Sequence, residues 1–174
     1  PRGDWRSAEQ VSEFNTGENE GMVTMVRDGR RIFFTACKRE DVLGPCDIWE
    51  AVMDGNHFTD TRPLKGSANS DGWESQASIS CDGITLYFAS SRPGGLGGTD
   101  IWKSIKNKDG VWGAPKNLGP NVNTTGDEEA PFITNDGKVL YFSSTGHLGL
   151  GEQDLFVSRL DVHGVWGYAR NLGK

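Results

Sequence analysis

The chain is 174 residues long, 35% hydrophobic and 24% charged, with 24 glycines and a formal net charge of −6. That length and composition admit one good-sized domain with a buried core and exclude a chain disordered by its composition. The negative balance argues against nucleic acid and anionic membrane as primary partners, and no apolar run approaches the roughly 18 residues of a membrane-spanning helix.

The chain opens Pro1-Arg2-Gly3-Asp4-Trp5, without an initiator Met, and reads as cut from something longer. An aromatic followed six residues later by an aliphatic, Trp5 to Val11, recurs as Phe58 to Leu64, Trp112 to Leu118 and Trp166 to Leu172. Residues 1–14 are therefore expected to hold only a fourth strand of a preceding unit, and 1–19 that strand plus a linker. Three full units follow, at 20–73, 74–127 and 128–174. Asp28-Gly29, Asp82-Gly83 and Asp136-Gly137 are 54 residues apart, as are Phe33-Phe34, Tyr87-Phe88 and Tyr141-Phe142. Asp47-Ile48-Trp49, Asp100-Ile101-Trp102 and Asp154-Leu155-Phe156 form a third anchor. Asn15, Asn69 and Asn123 share one phase, and Glu20, Glu74 and Glu128 another. A fixed period of this length marks a repeat architecture.

The last repeat shows what one unit folds into. Ala130–Thr134 is a short apolar run, and Asn135-Asp136-Gly137 is a turn whose Asn and Gly tolerate positive φ. Lys138–Ser144 is rich in strand formers. A glycine-rich loop leads to Gln153–Leu160, Asp161-Val162-His163-Gly164 turns the chain, and Val165–Leu172 completes the unit. Four short strands joined by hairpins make an antiparallel meander. No segment keeps a helical period over three turns.

The expected fold is all-β: a β-propeller of four-stranded antiparallel blades, with three full blades and one outer strand in this chain, part of a six- to eight-bladed propeller. One blade is apolar on both faces and is stable only when neighbours cover it. Trp49, Tyr87, Phe88, Trp102, Tyr141, Phe142 and Phe156 are the natural filling between blades. The remainder of the propeller is one implied partner.

Chemistry-bearing motifs are sparse. Cys37 and Cys46 flank an eight-residue hairpin loop and either form a disulfide across the ladder or are two small half-buried residues. Cys81 is expected to be a buried thiol. No Cys or His spacing suggests zinc, no GxSxG elbow supports a serine hydrolase, and no cofactor motif is present. His57, His147 and His163 read as loop or surface histidines. Pro93-Gly94-Gly95-Leu96-Gly97-Gly98 resembles a phosphate loop only in glycine content, because it joins two strands and lacks the lysine. Asp47, Asp100 and Asp154 suit a repeated structural hydrogen bond. Glu20, Glu74, Glu128 and Glu129 precede the first strand of each blade, the strand that lines a propeller's channel. A carboxylate ring there could hold a cation or a basic peptide; the alternative is carboxylates accepting backbone N–H bonds between blades. Arg39, Arg92 and His147 lie on loops of one rim that differ between blades, a candidate partner surface.

The stretch from Asp82 to Trp102, DGITLYFASSRPGGLGGTDIW, resembles the TolB-type, WD-repeat-like propeller repeat of bacterial envelope proteins, and Asp136–Phe156 carries the same frame. Asn117-Leu118-Gly119-Pro120-Asn121-Val122-Asn123-Thr124 and Cys46-Asp47-Ile48-Trp49 are similar in style to the propellers of Bacteroidetes envelope proteins that carry an OmpA-like domain, the PorE-like component of type IX secretion among them. The resemblance implies an exported, periplasmic, non-catalytic scaffold that binds another envelope protein or peptide. A carbohydrate-binding or glycoside-processing propeller is the alternative. It is weakened because acids that recur in phase form a symmetric ring, whereas glycosidic chemistry uses two differentiated carboxyls.

Overall fold

The structure, a computed structural model, describes residues 7–173. Twelve strands form three four-stranded antiparallel sheets, one per repeat, each in simple sequential order. The first blade is β1 (Glu20–Met25), β2 (Arg31–Cys37), β3 (Cys46–Asp54) and β4 (His57–Pro63). The second is β5 (Glu74–Ile79), β6 (Thr85–Ser90), β7 (Asp100–Ile105) and β8 (Lys116–Asn117). The third is β9 (Glu128–Ile133), β10 (Val139–Ser144), β11 (Asp154–Arg159) and β12 (Arg170–Asn171). No helix occurs among the described residues, and so none is long and apolar enough to cross a membrane.

The Asp-Gly pairs close the first hairpin of each blade, with Gly29, Gly83 and Gly137 at φ of 70°, 70° and 67°. Each Asp accepts an N–H two residues on, from Arg30, Ile84 and Lys138, at 2.9, 2.9 and 3.1 Å. Only glycine takes that conformation at little cost, so the turn fixes where β2, β6 and β10 begin.

The paired aromatics point to opposite faces of each blade, as the period of two requires. Phe33 enters the core between the first and second blades, with Ile48, Leu86, Phe88 and Trp112. Tyr87 enters the core between the second and third, with Ile101, Leu140, Phe142 and Trp166. The two interfaces are repeats of each other. Phe33 meets Trp112 edge-on, at 5.8 Å and 80°, and Tyr87 meets Trp166 at 6.1 Å and 82°. Hydroxyls of one inner strand accept from the next: Ile79 N–H donates to Thr24 Oγ1 at 3.4 Å, and Ile133 N–H to Ser78 Oγ at 3.1 Å.

Three features depart from the expected strands. The fourth strand of blades two and three shrinks to Lys116–Asn117 and Arg170–Asn171, plus isolated bridges from Trp112 to Lys106 and from Trp166 to Leu160. The ladder opens just after Gly113 and Gly167, whose N–H groups still donate to the Ile105 and Arg159 carbonyls at 3.0 and 2.9 Å; glycine weakens a strand, and Pro115, close behind Gly113, offers no N–H. Ser104 and Ser158 hydroxyls donate to the freed carbonyls of Gly113 and Gly167 at 2.7 and 2.6 Å. Second, Trp5 and the rest of 1–6 lie outside the described residues, and 7–19 hold no strand. Among the described residues no third strand lies beside Val11, which packs instead with Phe14 and Phe58 on the first blade. Third, each inner strand is bulged, and the bulge carries a non-glycine residue at positive φ: Met22, Gln76 and Ala130, at 54°, 56° and 49°.

The outer faces of the end blades repeat the buried interfaces but are uncovered. Leu155 is 60% exposed, whereas Ile48 and Ile101, its equivalents, are fully buried. On the first blade, Met25 is 48% exposed where Ile79 is 7%.

Candidate functional site

The antiparallel pairing sets the start of each inner strand opposite the end of the second strand: Glu20 faces Ala36, Glu74 faces Ser90 and Glu128 faces Ser144. The loops between second and third strands therefore share a face with these glutamates. That loop face holds Glu20, Glu74, Glu128, Arg39, Arg92, His147 and the disulfide.

The glutamates are not an open ring. Glu74 is fully buried, accepting Ser70 N–H and Oγ–H at 2.7 Å each and Ser90 Oγ–H at 2.6 Å. Glu128 repeats this with Thr124 N–H at 2.6 Å, Thr124 Oγ1–H at 2.7 Å and Ser144 Oγ–H at 2.6 Å. Glu20 accepts Thr16 N–H and Oγ1–H at 3.1 and 2.6 Å. Burial alone would raise the Glu20 carboxyl; hydrogen bonds from Thr16 and Arg39 outweigh it and hold the group below its ordinary range. The carboxylates thus take the second of the roles read from sequence, clasping the segment that enters each blade. Glu129 is different: half-buried, it accepts from Gln76 Nε2 of the preceding blade at 3.4 Å.

Arg39, Arg92 and His147, the candidates for a partner surface, turn toward main-chain carbonyls of the segment entering the blade. Arg39 reaches the Phe14 carbonyl, Arg92 the Ala68 carbonyl, and His147 Nε2 the Val122 carbonyl at 2.8 Å. Phe14, Ala68 and Val122 are themselves 54 residues apart, so the three contacts are one contact repeated. The guanidinium of Arg92 lies 5.1 Å from Phe88 and 5.5 Å from Trp102, and that of Arg39 lies 4.5 Å from Trp49. His147 covers Phe156 in the same way, at 5.1 Å. A planar group lies over the aromatic pair and ties the loop to the incoming segment. Arg39 and Arg92 also pair with Glu20 and Glu74 at 3.1 Å each. Burial lowers the Arg92 guanidinium's pKa, and the Glu74 carboxylate opposes that.

The loops are pinned at their far end too. Asp47 accepts from Leu43 and Gly44 N–H, at 2.7 and 3.4 Å, and Asp100 from Leu96 and Gly97, at 2.6 and 3.5 Å. Asp154 does the same for Leu150 and Gly151. Burial pushes the Asp47 carboxyl up against those bonds, whereas the open Asp154 is lowered by Gly151 and Leu150 N–H. Asn69 clasps both backbone groups of Ile48 at 2.9 Å, and Asn123 those of Ile101 at 2.8 and 2.9 Å.

Cys37 and Cys46, directly paired across β2 and β3, form a disulfide with an S–S distance of 2.01 Å. The staple stands where Ser91 and Thr145 instead accept from Trp73 and Asp127 N–H, at 3.0 and 2.9 Å. Cys81 is a free thiol, half-buried rather than buried. Its position on the opposite face, beside the Asp82-Gly83 turn, keeps it out of the core. His57, the first residue of β4, and His163, on a turn, sit exposed on that opposite face. Among the described residues, no group of three or more His, Cys, Asp or Glu is arranged to hold a metal. The apolar hollow beside Phe14, Ile32, Phe34 and Phe58, about 370 Å³, belongs to the uncovered face of the first blade, not to the loop face.

No family model and no curated protein matches the sequence. Solved structures do match the fold. TolB from Acinetobacter baumannii superposes with a TM-score of 0.57 at 17% identity, over 89% of this chain and 32% of that one. A protein of Agrobacterium tumefaciens described as TolB gives 0.60 at 20% identity, over 91% and 50%. The Hadza microbial sialidase Hz136 gives 0.55 at 10% identity, over 85% and 36%. The fold is that of a β-propeller. The chain spans between about a third and a half of each of these propeller structures, and at such identities the likeness is one of fold.

Proposed function

We propose that this chain is part of a non-catalytic β-propeller scaffold in the periplasm of a bacterial cell envelope, of the kind that carries an OmpA-like domain and serves type IX secretion, and that its loop face holds another envelope protein or peptide. One observation carries the reading. The charged groups that could have done chemistry on this face are spent on holding its loops still, while the loop tips differ between blades and stay exposed. Rigid loops with variable tips suit recognition. The in-phase acids, each held by the segment that enters its blade, do not offer the differentiated pair that glycoside cleavage needs. The disulfide supports an exported location.

The test places a photo-cross-linking residue at Ser91 or Gln153 on the loop face, and at Asp109 on the opposite face, in the intact protein in its own cell envelope. A discrete protein adduct is expected from the loop face alone. Adducts only from Asp109, or glycosidase turnover by the intact protein, would overturn the proposal.

A further inference from the structure

With Arg39, Arg92 and His147 turned inward, each loop presents a leucine to solvent at one equivalent site, and the third loop presents a second, Leu148, which is 97% exposed. Leu43, Leu96 and Leu150 each stand four residues before the recurring aspartate of their blade. They are 67%, 46% and 64% exposed. Missing neighbours do not explain this, because the first and second blades are each followed by a packed blade and their leucines remain open. The backbone beneath is fixed: each leucine N–H is held by Asp47, Asp100 or Asp154. The glycine after Leu43 or Leu96 lies so close to the next connection that a Cβ would come within 1.8 or 2.2 Å of the Gly72 or Gly126 carbonyl. A leucine held rigid in water at the same site in every blade contributes nothing to the core. The exposed charges of the first and third loops are Glu40, Asp41 and Glu152 against Lys38, Asp71 is exposed on the connection beside Gly44, and the loop of Leu96 carries no exposed charge.

Resting on the proposed function, we infer that Leu43, Leu96 and Leu150 form an arc of apolar knobs in an acidic setting, which docks a basic amphipathic segment of a partner protein. The knobs supply apolar burial and the carboxylates select a cationic partner and repel an anionic one. An anionic membrane, which would also accept leucines, is disfavoured by the same carboxylates.

The probe is a synthetic amphipathic peptide of leucine and lysine, with counterparts in which glutamate replaces lysine or serine replaces leucine. It is titrated against the intact protein by fluorescence anisotropy. The leucine–lysine peptide alone is expected to bind, and each of Leu43→Ser, Leu96→Ser and Leu150→Ser to weaken it about tenfold. Ile84→Ser and Val162→Ser, exposed apolar positions on the opposite face, should leave it unchanged. Circular dichroism and melting confirm that each variant is folded. No binding, equal binding of the glutamate peptide, binding undiminished in the folded triple variant, or capture of phosphatidylglycerol vesicles in place of the peptide would overturn the inference. A loop-face cross-link that persists in the triple variant sinks this inference and leaves the proposed function standing. Absence of any loop-face cross-link sinks both.

Discussion

Replacing Glu74 by alanine removes a carboxylate that no water touches and that three protein groups and one guanidinium require. Ser70 N–H, Ser70 Oγ–H and Ser90 Oγ–H lose their acceptor, and Arg92, whose side chain is 9% exposed, loses its anion at 3.1 Å. Hydroxyls can rotate toward other acceptors; a buried cation cannot be neutralised so easily. Breaking a buried pair from one side costs about 3–5 kcal/mol. Glu128 offers an internal control, because it has the same three donors and no arginine. Its loss strands one backbone N–H and leaves a small void, about 2–3 kcal/mol. Urea unfolding of the intact protein should therefore place E74A below E128A by about 1–2 kcal/mol, and the E74A/R92A double variant should show a coupling of at least ~1 kcal/mol. If E74A is no worse than E128A, or the coupling falls below ~0.5 kcal/mol, the carboxylates are not the clasps described. A loss of ligand binding with unchanged stability would return them to the open ring that the sequence also allowed.

Three further outcomes follow from the same geometry. The Glu20 carboxyl is held below its ordinary value of 4.5, so its contribution is fully present above about pH 4.5 and is lost as pH falls through the lower folded value; amide exchange in loop 38–45 should accelerate on acidification in the native protein, and E20Q should abolish that pH dependence. Reducing the disulfide, or C37S/C46S, releases a loop of sequence separation 9 and should lower stability by about 2–3 kcal/mol, measured as a melting shift with and without reductant. G97A drives a Cβ to 2.2 Å from the Gly126 carbonyl and should cost about 1–3 kcal/mol, whereas G17A, with nothing within 4 Å, should stay within about 0.5 kcal/mol.

The sequence carried the frame of this fold because turns and paired aromatics have local causes. Asp136-Gly137 marks its hairpin, and Lys138–Ser144 and Gln153–Leu160 each match the observed strand to within one residue at either end. The fourth strand was over-read, since Val165–Leu172 has strand-like composition but the ladder opens within it, just after Gly167. The inner-strand bulges left no signal: Met22, Gln76 and Ala130 are none of them glycine, and the bonds that hold two of them, from Gln76 N–H to Thr35 Oγ1 and from Ala130 N–H to Gln76 Oε1, come from the preceding blade. For the site, the positions of the loops were legible in the sequence and the partners of their side chains were not. An arginine on a loop looks like a surface group until the Phe14, Ala68 and Val122 carbonyls come under it, and those partners lie 24 or 25 residues back in the chain. The phase of Asn69 and Asn123 was visible, but their bidentate clasp on Ile48 and Ile101 depends on tertiary placement. The leucines left no mark, because a single aliphatic within a loop carries no local signal of its exposure.

An experimental structure of the intact protein tests the central claim most directly. The account predicts that Leu155 and Tyr141 on one side, and Val23 and Met25 on the other, are covered by further four-stranded sheets related by one common rotation, with Leu43, Leu96 and Leu150 left open on the loop face. Helices against those faces, or sheets that do not continue around a shared axis, would contradict it.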